Sequence, residues 1–373
     1  MRKITLTLSI IVIASYITVA ILAPFIASDI PIVCVSDRSL SFPILKTHES
    51  QLLHITHGKS STNDCWYALI PYSYKNLGGT EASLLPPLST QVGISSRFTH
   101  WLGTDKIGRD VAAGMIRGTR TAVKIGGFSV LISFLLGTWL GIFAGYFGDN
   151  GLKMSLWQLL STSVFTLLAF FYLYYGSHYL LFLGLVVFGI LFHIILSKFA
   201  LRKKNYNFPI DLIVVKAIEV RKSIPGLFFI LAMLIIFNRP SSWNIVIVIS
   251  LLGWIDFAKL ARAETMATKQ ENYVISARLL GLSLSNILSK QILPNIMPTL
   301  WVVACFSLSS AILLESSLSF LGIGLPVEDV SWGKLMNEGR TSQAWWLVVF
   351  PGLAIFILVL SLNRVILAIQ EKR

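Results

Sequence analysis

Long stretches with almost no charged side chain constrain this chain more than any other feature. Between residues 126 and 196 the only charges are Asp149 and Lys153. The hydrocarbon core of a bilayer is about 30 Å thick, so a helix rising 1.5 Å per residue crosses it in roughly 20 apolar residues. By that criterion about eight stretches qualify, at residues 4–26, 125–146, 156–175, 179–196, 224–237, 243–260, 296–321 and 345–363. Hydrophobic residues make up 54% of the chain and charged ones only 13%, about half the charge of an ordinary soluble domain. An all-α, polytopic membrane protein is expected, and a soluble enzyme is excluded.

The charges that remain sort by side. Lys and Arg number 31 against 18 Asp and Glu, a formal net charge of +13. In a soluble protein this would raise the question of nucleic acid, but here it is the signature of cytoplasmic loops that collect Lys and Arg. No nucleic-acid partner is expected. The first stretch follows Arg2 and Lys3 and lacks the small-residue cleavage site of a signal peptide, so it reads as a retained helix with a cytoplasmic N-terminus. Residues 28–120 are then delivered outside. Lys198, Arg202, Lys203 and Lys204 mark a cytoplasmic loop, as do Arg262, Glu264, Lys269, Glu271 and Arg278 within a larger one at residues 259–290. The amphipathic stretch 210–222 leads into the span at 224–237, residues 328–340 fall outside, and 364–373 place the C-terminus inside, against membrane lipid.

The larger loop carries a pattern. Tyr273-Val274-Ile275-Ser276-Ala277-Arg278-Leu279-Leu280-Gly281 is followed after nine residues by Gln291-Ile292-Leu293-Pro294. It reads as helix, glycine break, helix, and a proline that ends the segment before the next span. Small residues at Ser276 and Ala277 would allow a partner surface to approach. Such a helix pair suits a groove in a soluble partner, and a solvated loop is the alternative.

This pattern resembles the EAA loop of binding-protein-dependent ABC importer permeases, with Ala277, Gly281, Leu293 and Pro294 at matching positions and with Ile275, Ser276 and Gln291 departing from it. Three further groups share the likeness. They are Gly103-Thr104-Asp105 with Gly108-Arg109-Asp110-Val111 and Gly118-Thr119-Arg120; Ala144-Gly145-Tyr146-Phe147-Gly148; and Glu315 to Gly324 followed by Ser331-Trp332-Gly333. In this order they resemble the C-type permease subunit of dipeptide and oligopeptide importers, and the long first outer loop, with Phe42-Pro43 and Pro86-Pro87 before the Trp101-Leu102-Gly103-Thr104-Asp105 motif, is most similar to the microcin C and oligopeptide subtype. The resemblance implies a type I ABC importer permease fold of six spans, with residues 151–208 as an inserted two-helix hairpin. Because a hairpin returns the chain to its starting side, it leaves all later orientations unchanged. The expected regions are a first transmembrane helix at 1–27, an extracytoplasmic loop and interfacial helix at 28–120, a second core span at 121–150, the insert at 151–208, and the remaining core at 209–373 with the coupling loop at 262–294.

The resemblance further implies a non-catalytic subunit of the bacterial inner membrane that works with a homologous second permease, two ABC ATPase subunits and an extracytoplasmic solute-binding protein. The chain has no phosphate-cradling Gly-x-x-x-x-Gly-Lys-Ser/Thr sequence, so no cofactor is expected on it, and ATP and Mg belong to the partners. Tyr273, Ala277, Gly281, Leu293 and Pro294 are the expected ATPase-coupling residues.

Glu315, the only acid between residues 296 and 327, is a candidate for the translocation path, the competing reading being a structural hydrogen bond near the outer end of its helix. Asp105, Arg109 and Asp110 are candidates for the external mouth, against capping and interfacial packing. Cys34 and Cys65 share the outer loop, where a disulfide is chemically allowed, though two free thiols fit the sequence equally; Cys305 reads as a small core residue. His48, His54 and His57 lack a fourth ligand, so no metal site is expected. Trp332, Trp345 and Trp346 read as an interfacial aromatic belt. A secondary transporter is the alternative function, but it would need mid-membrane coupling acids and inverted repeats, and neither is evident.

Overall fold

The computed structural model describes residues 2–36, 39–42, 64–75, 80–90, 99–151, 153–155, 188–189, 205–237, 240–326 and 328–370. The helices are α1 (Arg2–Ile26), α2 (Val111–Phe147), α3 (Ile210–Ser223), α4 (Gly226–Ile236), α5 (Ser242–Thr268), α6 (Asn272–Leu279), α7 (Leu293–Phe320), α8 (Trp332–Ser342) and α9 (Trp346–Gln370). Short strands β1 (Val33–Ser36), β2 (Ser39–Ser41) and β3 (Asp64–Trp66) form one antiparallel sheet in the order β2-β1-β3. Two antiparallel ribbons pair β4 (Ser89–Thr90) with β5 (Thr99–His100) and β6 (Lys153–Ser155) with β7 (Asn205–Asn207). The chain is an all-α membrane protein in which five helices among the described residues, α1, α2, α5, α7 with its lead-in from Leu284, and α9, are long and apolar enough to cross a bilayer.

Three differences from expectation have physical causes. The second span begins at Val111, not near residue 125, because the helix accommodates the charges along its first half: Arg117 lies 4.8 Å over the Tyr74 ring, and Lys124 donates to Ser242 Oγ at 2.7 Å while lying 4.9 Å over the Trp243 ring. The stretch 224–237 is not a full span. Pro225 separates α3 from α4, whose 11 residues reach about 16 Å, half the hydrocarbon thickness. Finally, α5 continues to Thr268 and so takes in the start of the expected loop. Apart from Phe188 and Gly189, the spans expected at 156–175 and 179–196 lie outside the described residues, as do Lys198, Arg202, Lys203, Lys204, His48, His54 and His57.

The structure divides into two compact units, one of residues 1–136, 225–257 and 297–373, the other of residues 137–224 and 258–296. In the first, Trp332 is the anchor. It is 1% exposed, its Nε1 donates to the Met115 carbonyl at 3.2 Å, and Tyr16 meets it edge-on at 5.8 Å while donating to the Ala354 carbonyl at 3.0 Å. Ala122, Ile312, Ile355, Leu358 and Leu362 pack around it. The aromatic-belt expectation therefore fails for Trp332, which is core; Trp346 donates to the Thr104 carbonyl at 3.1 Å, and Trp345 is exposed. A Cβ on Gly118 would stand 2.7 Å from the Trp332 ring, which is why glycine occupies that position.

Helices α2 and α5 meet along small residues. In the first unit Ser133 Oγ donates to the Ser250 carbonyl at 3.0 Å, and Ser250 Oγ lies 3.2 Å from the Ser129 carbonyl. In the second, a Cβ on Gly141 would stand 2.4 Å from the Ala258 carbonyl oxygen, and one on Gly145 would stand 2.6 Å from that of Arg262. Lipid gives apolar side chains no reason to leave it, so small residues that let backbones touch are the main source of helix association.

A β-ribbon bounds the block expected to be an insert, residues 151–208. Lys153, Met154 and Ser155 pair with Asn207, Tyr206 and Asn205, Asn207 Nδ2 donates to Asn150 Oδ1 at 3.2 Å, and Asp149 Oδ1 accepts the Leu212 amide at 2.9 Å. The block thus leaves and re-enters the chain at one point.

Gly141→Leu should lower stability by about 2 kcal/mol through overpacking, read as a lower unfolding temperature in detergent, whereas Gly127→Leu, with nothing within 4 Å of its Cβ position, should leave it unchanged. Replacing residues 156–204 by an Asn-Gly turn between β6 and β7 should preserve accumulation in the membrane fraction.

Candidate coupling loop and a buried charge cluster

The loop between α5 and α7 lies in the second unit. Helix α6 ends in a glycine cap: Gly281 has φ +75°, its amide donates to the Arg278 carbonyl at 3.0 Å, and the Leu282 amide reaches back to the Ala277 carbonyl at 3.1 Å. These paired bonds satisfy the last carbonyls of the helix and require a left-handed residue where they meet. No neighbour lies within 4 Å of a Cβ at Gly281. Glycine is needed there for its backbone conformation, not for space. Ser283 then caps the next helical run, its Oγ accepting the Asn286 amide at 3.4 Å.

The two arms pack on each other through one face. Val274, Ala277, Ile287, Leu288, Ile292 and Ile296 are buried, whereas Leu279 and Leu280 at the bend are each 82% exposed. Tyr273, Ile275, Leu282 and Leu284 extend the exposed apolar surface. The expectation that Ala277 faces a partner is corrected: it lies three residues from Val274 on the inward face, and Ser276 is the exposed small residue. Pro294 is also corrected, since it does not end the helical run. Residues 287–292 form a widened π-helical turn, with the Leu293 amide bonded to the Leu288 carbonyl, and the helix continues through Pro294 to Phe320. A turn with i→i−5 bonds just before a proline absorbs its missing N–H and ring without ending the helix. Leu293 and Pro294 are thus the first residues of α7.

The loop is tied to the end of α2. Lys269 Nζ donates to the Gly145 carbonyl at 2.8 Å, and the Arg278 guanidinium lies 5.4 Å over the Tyr146 ring. Arg262 grips Asp211 of α3 with both Nε and Nη2.

In the first unit the structure brings Asp105, Arg109 and Asp110 together just before α2. Asp105 Oδ1 accepts the amides of Ile107 at 3.0 Å and Arg109 at 2.8 Å, and its Oδ2 accepts Arg109 Nε at 2.6 Å. Arg109 Nη2 continues to Glu338 Oε1 of α8 at 2.9 Å. Burial pushes the Glu338 carboxyl above its ordinary range, with the Arg109 charge opposing. Asp110 caps α2, Oδ1 accepting the Ala113 amide at 2.7 Å, while Oδ2 meets His100 Nδ1 at 2.8 Å. Tyr72 stacks on the His100 ring at 4.3 Å, and burial together with the Asp110 charge moves its hydroxyl up to about 12. Asp105 and Asp110 are 2% and 3% exposed, and their carboxylates bond the segments around them together. His100, Tyr72 and Glu338 escaped the sequence reading, although His100 directly precedes the Trp101-Leu102-Gly103-Thr104-Asp105 motif.

Glu315 is 1% exposed near the end of α7, accepting from Ser319 Oγ at 2.8 Å and lying 3.4 Å from Ser316 Oγ. Gly333 of α8 crosses directly over this point, where a Cβ would stand 2.0 Å from the Ser316 carbonyl oxygen.

Residues 133–373 match the protein family described as binding-protein-dependent transport system inner membrane component. The chain is 28% identical over 266 residues to a glutathione transport system permease protein of Pectobacterium atrosepticum, covering 71% of this chain and 68% of that protein. It is 26% identical over 277 residues to a dipeptide transport system permease protein of Bacillus subtilis, covering 74% and 68%. To a di/tripeptide transport system permease protein of Pseudomonas aeruginosa it is 28% identical over 282 residues, covering 75% and 73%.

Arg109→Met removes the cation shared by two carboxylates in a largely buried site. It should cost about 3 kcal/mol, seen as a lowered unfolding temperature of the purified protein, with Glu338→Gln costing less because that carboxylate is the more exposed partner.

Proposed function

Because the chain belongs to the binding-protein-dependent transport system inner membrane component family, we propose that it is the permease subunit through which an ATP-driven importer carries peptides or peptide-like solutes, glutathione and dipeptides among them, across the bacterial inner membrane. Family membership does not favour a secondary transporter. The observation that carries the coupling mechanism is the bend of the α5–α7 loop, where Leu279 and Leu280 stand exposed beside a glycine cap that fixes their direction.

Two leucines held in water at the tip of a rigid turn are a costly arrangement unless a partner covers them. Each ATPase subunit of the importer presents a groove to such a tip. ATP and Mg bind on those subunits, and this chain takes up their closure as a movement of the loop. Its inner face, packed through Val274, Ala277, Ile287 and Ile292, transmits the movement as one body into α7, whose helix begins without interruption at Leu293. Lys269 and Arg278 pass it to the end of α2. The spans respond by alternating access, with nucleotide state biasing which side is open. A homologous second permease completes the pathway, and an extracytoplasmic solute-binding protein delivers the solute. In this orientation both termini and the α5–α7 loop are cytoplasmic and the segment before α2 is external, in keeping with the distribution of Lys and Arg.

Tagged protein should co-purify ATPase subunits from native membranes. Leu279→Glu with Leu280→Glu should abolish that co-purification, while Gly281→Asp, which forces a side chain into the left-handed region, should retain insertion but lose solute-stimulated ATP hydrolysis and uptake. Undiminished ATP-driven uptake of a labelled peptide mixture by the Gly281→Asp protein would refute the coupling role.

A further inference from the structure

We propose that Cys34 and Cys65 form an intramolecular disulfide that fastens the segment between α1 and α2 at its base, an inference that rests on the external orientation given above. The two residues are direct register partners in the antiparallel pairing of β1 with β3, Cys34 opposite Cys65, with Val33 opposite Trp66 and Val35 opposite Asp64. Directly opposed residues of an antiparallel pair lie on the same face of the sheet with Cα atoms about 4.5 to 5.5 Å apart. That spacing lies inside the range of about 4.4 to 6.8 Å that a disulfide takes.

The segment that carries Cys65 is also tied down beyond the strand pairing. The Ile32 amide donates to the Trp66 carbonyl at 2.8 Å, the Ser28 amide to the Ile70 carbonyl at 3.2 Å, and the Ile70 amide to the Ile26 carbonyl at 2.9 Å. Cys65 is therefore held beside Cys34 by a chain segment tied to the end of α1. The β1 strand is also the central one, pairing Cys34 with Ser41 on its other side, so slippage by one residue would break two pairings at once. The third cysteine, Cys305, lies within α7 and so in the membrane span, where it does not compete for either partner.

Forming the bond is an oxidation. Each thiol gives up its proton, one S–S bond forms between the two sulfurs, and two electrons pass to an oxidant. The chemical class required is a disulfide-carrying thiol oxidase, whose own disulfide is reduced to a dithiol. Such oxidants act outside the cytoplasm, which is why the bond depends on this segment being external. The product closes a ring over residues 35–64 and leaves the remainder of the segment, from Trp66 onward, anchored beside the membrane helix.

The test uses the full-length protein in its own membranes. Cells are quenched with N-ethylmaleimide, the protein is denatured, and half the sample is reduced before reaction with a polyethylene-glycol maleimide. Two additional adducts on the monomer band are expected after reduction in the wild type, and none in Cys34→Ser or Cys65→Ser, because the remaining thiol is blocked at the quench. No reduction-dependent adduct in the wild type, or a reducible dimer in place of a modified monomer, overturns the proposal. A second arm separates this from a failure of the orientation: intact cells treated with a membrane-impermeant phosphine are labelled with a membrane-impermeant maleimide. Labelling that depends on Cys34 and Cys65 supports the external disposition. If no adduct forms in the first arm but these residues are labelled in the second, the disulfide is wrong and the orientation stands. If neither arm gives a signal, both are wrong.

Discussion

The backbone contact between α2 and α5 is the constraint on which the other features depend. In water, large apolar side chains drive helices together, but hydrocarbon removes that incentive, and Leu131, Leu135, Trp139 and Leu140 of α2 are exposed. Association then falls to positions where a side chain is small enough for carbonyls and hydroxyls of the two helices to touch. Ser129 and Ser133 stand four residues apart on α2, as do Gly141 and Gly145, so each pair shares a helix face. The serines exchange hydrogen bonds with α5 in one unit, and the glycines admit its backbone in the other. A side chain of any size at these positions would hold the helices apart and leave those hydroxyls unsatisfied.

Polar groups in the chain have two distinct uses. Before α2, charges are paired and buried: Asp105, Arg109 and Glu338 form a continuous bridge, and Asp110 serves at once as helix cap and partner of His100. Such a network rigidifies because removing one member leaves the others uncompensated. In the loop between α5 and α7 it is apolar groups that are displayed. The glycine cap there gives Leu279 and Leu280 a fixed presentation in place of a fluctuating one, and a preorganised surface loses less entropy when a partner covers it.

The membrane helices were largely legible from the chain because hydrocarbon imposes a single strong requirement, length without charge, which any reader can apply. Where that rule misplaced an end, a specific contact explains it. Arg117 and Lys124 look like loop residues until Tyr74 and Trp243 are seen beneath them. Pro294 looks like a terminator until the widened turn at residues 287–292 is seen. Ala277 has the small side chain of a docking surface, yet helical phase puts it beside Val274 on the inward face. Of the charge cluster, the acids and arginine near residue 105 could be found from their short spacing. Their partner Glu338 is 229 positions away from Arg109, and nothing in local sequence connects the two. Trp332 is similar: an aromatic near a helix end suggests an interface, and only the opposing Gly118 and Tyr16 reveal a core.

The ribbon formed by β6 and β7 has an implication for how such a chain can change over time. Because its two strands clasp each other at the point of departure, whatever lies between them is topologically a side branch, hung from the permease by a stem three residues deep on each edge. A branch of this kind can lengthen, shrink or be exchanged without rotating the helices on either side of the stem. A change in length between residues 155 and 205 is thereby confined to the branch, and the register of the stem is kept.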